Sequence, residues 1–79
     1  MTYFVLAARN ETGAAYHVAF GDYDRAVVTQ EAADLAYGRD YRRVNMKVIK
    51  AARATQRAVD AALAELNASA SRAIAAQLV

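Results

Sequence analysis

The chain has 79 residues, 57% of them hydrophobic and 23% charged, with a formal net charge of +2. That length holds one domain, 1–79, with a thin core, and the composition is that of a globular chain rather than a disordered one. With no cysteine and a single histidine, His17, disulfides are excluded and a metal site of thiolate or imidazole ligands cannot be assembled, so no metal or cofactor is expected.

The segment MTYFVLAARN carries no charged region before its short apolar run, so it predicts an N-terminal strand rather than a signal peptide. No run of about 18 apolar residues follows, so no membrane span is expected. With no cysteine and no export signal, the cytoplasm is the expected location. Residues 3–9 are apolar and rich in strand formers, and Asn10-Glu11-Thr12-Gly13 then supplies a polar loop ending in glycine. Over 14–20, Tyr16, Val18 and Phe20 alternate with His17 and Ala19, which completes a β-hairpin. Asp22 and Asp24 are candidate N-caps for a helix over 23–37, with Val28, Ala32 and Leu35 on one stripe and Gly38 ending it. Val44, Met46 and Val48 predict a third strand over 43–50. Thr55 caps a second helix over 55–77, on the stripe Val59, Ala62, Leu63, Leu66 and Ala70.

The order ββαβα predicts an α+β fold, a three-stranded antiparallel sheet in the order 2-1-3 with two helices on one face. The other face would then lie open, carrying Tyr3, Val5, Ala7 and Arg9. A helix over 55–77 is about 34 Å long, whereas a seven-residue strand covers only about 23 Å. About two turns would project past the sheet with Ala70, Ile74 and Leu78 exposed, a surface suited to a homodimer.

Catalytic groups are sparse. His17 is the lone imidazole and sits within a strand, and Ser69 and Ser71 have no base near them in sequence. Asp22 and Asp24 stand at a helix start, where capping accounts for them, and Gly21 and Gly38 form no phosphate-cradling loop. A binding protein is expected, not an enzyme.

Charge is distributed unevenly. Residues 10–38 hold five acids against Arg25 alone, whereas 39–57 hold Arg39, Arg42, Arg43, Lys47, Lys50, Arg53 and Arg57 against Asp40. Tyr37 and Tyr41 border this basic stretch. It suits docking on an acidic protein surface, where Arg and Tyr are common anchors. It also suits gripping a nucleic-acid backbone, with tyrosines for stacking. Charges of this kind also serve simply to protect an edge strand from aggregation.

Phe20-Gly21-Asp22-Tyr23-Asp24-Arg25, then Val27-Val28, Met46-Lys47-Val48-Ile49-Lys50 and the helical segment Val59–Asn67, resemble a group of small phage and prophage "FGDYDR" proteins, over about residues 14–67. Size and alanine-rich composition also resemble a type I anti-CRISPR protein, of the kind acting on a type I-C system. The resemblance implies a phage-encoded inhibitor in a bacterial host cell. Its partner would be a subunit of the CRISPR-Cas surveillance complex, and its action the steric blocking of target-DNA binding or nuclease recruitment. The alternatives are a nucleic-acid-binding phage accessory protein using the basic 39–57 stretch, and an assembly protein acting by self-association.

Overall fold

The structure, a computed structural model, describes residues 1–77. Six apolar residues in a row, Tyr3–Ala8, form strand β1 at the centre of the sheet. β2 (His17–Asp22) and β3 (Met46–Ala51) flank it, both antiparallel, in the order β2-β1-β3. Helix α1 (Arg25–Tyr37) connects β2 to a short 3-10 turn at Arg43–Asn45 that enters β3, and helix α2 (Gln56–Gln77) follows. The α+β class, the element order and the strand order are those the sequence predicts.

The placement of the helices is not. On one face Leu6, Ala8 and Met46 pack with Val28, Ala32 and Leu35 of α1. On the other, Val5 and Ala51 pack with Val59 and Ala62 of α2. Val5 and Leu6 are neighbours on one strand, so their side chains leave opposite faces, yet both are 0% exposed. The sheet is therefore sandwiched between the two helices, which corrects the expectation of both on one face and of an open face at Tyr3, Val5 and Ala7. The physical reason is width. Three strands spaced about 4.8 Å apart make a sheet narrower than the roughly 20 Å that two helices abreast occupy. A central strand apolar at every residue is stable only when covered on both sides.

Strand β2 departs from simple alternation. Leu6 pairs with Phe20 but Ala7 pairs with Val18, so Ala19 is an extra residue in a β-bulge. The bulge separates residues that the alternation puts on one face: Phe20 enters the α1 side with Leu6, and Val18 lies with Ala7 on the α2 side. β2 also starts at His17 rather than 14. Before it, Gly13 turns at φ 93° and the Ala14 amide donates to the Glu11 carbonyl at 3.1 Å, closing the loop. The backbone of Tyr16 is then occupied by a side chain of α2: its N–H donates to Asn67 Oδ1 at 2.7 Å, and its carbonyl accepts from Asn67 Nδ2 at 3.2 Å.

The hexapeptide Phe20–Arg25 has a complete local account. Phe20 packs into the α1-side core, and Gly21 lies under the ring of Tyr3, where an added Cβ would be 2.8 Å from Cε2 and Cζ. Tyr23 meets that same ring edge-on, with centroids 5.0 Å apart. Asp22 Oδ1 accepts from the Asp24 amide at 2.8 Å, and Asp24 caps α1 by accepting from the Ala26 amide at 2.9 Å. Both predicted capping carboxylates are thus used, one to hold the other. At the far end of α1 the left-handed residue is Arg39 (φ 63°), while Gly38 keeps an ordinary φ of −75°. Thr55 caps α2 as predicted, its Oγ1 accepting from the Ala58 amide at 3.3 Å.

Candidate partner-binding rim

Because β1 is central, β3 is an edge of the sheet, and the basic stretch is laid along it. Arg42 and Arg43 stand at the entry to β3, and Arg53 and Arg57 follow its exit, about 20 Å away for a six-residue strand. Between them Lys47 pairs with Ala7 and Lys50 with Phe4, so the two ammonium groups leave opposite faces of the strand. All seven cations, Arg39, Arg42, Arg43, Lys47, Lys50, Arg53 and Arg57, are exposed. Among the described residues the one ion pair is Arg72–Glu65 at 3.4 Å, so none of the seven has its charge matched by a carboxylate of the chain. The rim is a line of unmatched positive charge beside unpaired strand backbone, free to meet an anionic surface.

The two tyrosines diverge. Tyr37, 92% exposed at the end of α1, projects into solvent beside Arg39 and is available for stacking or insertion. Tyr41 packs against the α1-side core, and its hydroxyl lies 2.8 Å from His17 Nε2, with the rings 5.7 Å apart. Its polar end is satisfied inside the fold, so Tyr41 anchors the α1–β3 connection rather than the rim. The same contact gives His17 a structural partner.

The predicted dimer surface is only partly described. Leu78 lies outside the described residues, as does the side chain of Ile74. Ala70 is half-buried and borders the hairpin loop next to Gly13, Ala14 and Ala15. The stretch of α2 around Asn67 and Ala70 therefore runs beside the loop instead of projecting past the sheet, since the 9–16 connection extends the sheet's length on that side.

A polar cluster at the same end has no counterpart in the sequence-based expectations. Arg9 Nε donates to Asn45 Oδ1 at 3.0 Å, the Thr12 hydroxyl donates to the same oxygen at 3.3 Å, and the Arg9 amide donates to the Asn45 carbonyl at 2.9 Å. Asn45 is buried, and the Arg9 guanidinium carbon stands 4.7 Å from the centre of the Tyr16 ring. The available signal was Asn45 itself, a polar residue among Val44, Met46 and Val48 that a buried position could hold only if hydrogen-bonded.

Among the described residues no helix is long and apolar enough to cross a membrane, and no group of three or more His, Asp or Glu could hold a metal ion. No protein-family model, curated protein or solved structure matches this chain.

Proposed function

We propose that this chain is a phage-encoded inhibitor that binds a host CRISPR-Cas surveillance complex in the bacterial cytoplasm and sterically blocks target-DNA binding or nuclease recruitment. The observation that carries it is the β3 rim: seven exposed cations, unmatched by acids among the described residues, with Tyr37 92% exposed at one end. Unmatched cations accelerate encounter with an acidic subunit surface, and Arg and Tyr are the side chains that then hold it. The phage context rests on the resemblance of Phe20–Arg25 and the segments after it, a motif that here builds the turn and the helix cap. The motif thus supports a shared scaffold, and the rim supports the binding. Co-purification of the tagged chain with purified type I-C complex, followed by target-DNA binding, tests the reading. Retention on the complex with loss of DNA binding is expected, and Arg42→Gln/Arg43→Gln should release it; absence of co-elution with every type I subtype overturns it.

A second reading, a nucleic-acid-binding accessory protein, is favoured by the length of the rim. Cations spread over about 20 Å match several successive phosphates of a duplex, whose charges recur every ~1.7 Å along the axis. Mobility shifts that weaken steeply with salt would support it, and unaltered mobility of DNA and RNA at low salt would remove it.

A further inference from the structure

Beside the Arg9–Asn45 cluster the hairpin loop and α2 enclose an open groove of about 370 Å³, bordered by Arg9, Gly13, Val44, Lys47, Ala70 and Ala73. It continues into a recess of about 150 Å³ that shares Arg9, Gly13 and Ala70 and ends at Ser71. Arg9 is half-buried: its Nε is held by Asn45, while its unpartnered terminal nitrogens stay open to solvent, and among the described residues no carboxylate pairs with it. Asn45 and the Tyr16 ring fix the guanidinium plane, which leaves the two terminal nitrogens without a protein acceptor among the described residues.

The geometry points to a binding site for a small carboxylic acid with an aliphatic body. A guanidinium held in plane, with terminal nitrogens that face solvent rather than a protein acceptor, is pre-organised for a carboxylate. Lys47 brings a second positive charge to the same groove, from the α2 face of β3. In the same groove Val44 (57% exposed), Ala70 and Ala73 offer alkyl surface to the ligand's body. Those alkyl walls favour an organic acid over bare phosphate, which needs polar contacts all round. The site meets the proposed inhibitor's rim at Lys47 alone, and its anchor is Arg9, which the rim does not include.

The test is titration of the isotope-labelled full chain, at constant ionic strength, with N-acetyl-leucine and separately with inorganic phosphate. N-acetyl-leucine should shift the Arg9 Nε–H, Gly13, Tyr16 and Ser71 resonances with saturation, whereas phosphate should give weak shifts spread over all the basic residues. Arg9→Lys, which keeps the charge and loses the planar fork, should abolish saturation. Ala73→Leu fills the groove from an exposed helical position and leaves Arg9 in place, so it decides the matter if Arg9→Lys does not fold. Saturable binding that survives Ala73→Leu, shifts centred on Arg53 and Arg57, or tighter binding of phosphate than of N-acetyl-leucine would each overturn the proposal.

Discussion

Gly21 shows how much of this fold turns on single side chains. The Tyr3 ring lies where a Cβ at position 21 would go, and the backbone on either side of Gly21 is held in register by the pairs Phe4–Asp22 and Leu6–Phe20. Gly21→Ala should therefore push the half-buried Tyr3 ring aside and disturb its edge-on contact with Tyr23, destabilising the protein by about 1 kcal/mol. Urea denaturation checks it, and combining it with Tyr3→Ala should recover part of the loss, since the clash then disappears. Arg39 poses the opposite case. It holds a left-handed conformation (φ 63°) at the end of α1, a position where glycine is usual and a side chain costs about 1 kcal/mol. Arg39→Gly should raise the denaturation midpoint, a gain of about 0.5–1 kcal/mol. If the midpoint falls instead, the arginine side chain contributes a contact that outweighs its backbone strain.

At the scale of elements, the link between α2 and the hairpin is the Asn67 amide, which acts as a short stretch of strand by satisfying both the N–H and the carbonyl of Tyr16. Asn67→Ala leaves those two backbone groups without partners and should cost about 1–3 kcal/mol. Hydrogen exchange should report where: the amides of residues 68–77 should exchange faster in the variant, while those of β1 keep their protection. Unchanged exchange in α2 would mean that packing alone holds the helix. What the sequence reveals at this scale has a physical pattern. Helix starts and the Asp and Thr caps were legible because each depends on residues close together in the chain, such as Asp22 with Asp24 or Thr55 with Ala58, and the strand order because a hairpin followed by a right-handed crossover leaves the centre to β1. The split of the helices between faces was latent in the unbroken apolar run Tyr3–Ala8, whose alternate residues Val5 and Leu6 both demand cover. The bulge at Ala19 and the bond from Asn67 to Tyr16 were not legible, for both are set by partners distant in sequence: the register against Ala7, and a side chain 51 residues away. The candidate rim follows directly from composition, because charge density on an edge strand survives folding. The contact of Tyr41 with His17 was not legible, because proximity in sequence does not say which way a ring turns.

For the whole molecule the question is what a line of seven unmatched cations does to the chain that carries it. Edge strands are commonly guarded by lysine and arginine, and such guarding would explain Lys47 and Lys50 on the strand itself. It does not explain Arg53 and Arg57, which lie beyond the exit of β3 and protect no strand edge. Their charge adds repulsion within the rim, so its removal should leave stability within about 0.5 kcal/mol of the parent or slightly above it. For the same reason the parent's thermal midpoint should climb as salt is raised from low to physiological strength, where charges more than about 8 Å apart are screened from one another. The triple variant Lys50→Gln/Arg53→Gln/Arg57→Gln should show a shallower salt dependence, remain soluble, and bind the proposed surveillance-complex partner markedly less well. Light scattering and calorimetry on the two proteins, at matched concentration, separate the alternatives. Aggregation of the triple variant would make the rim a guard against edge pairing, whereas a soluble variant of undiminished stability that has lost its partner leaves binding as the reason the charges are there.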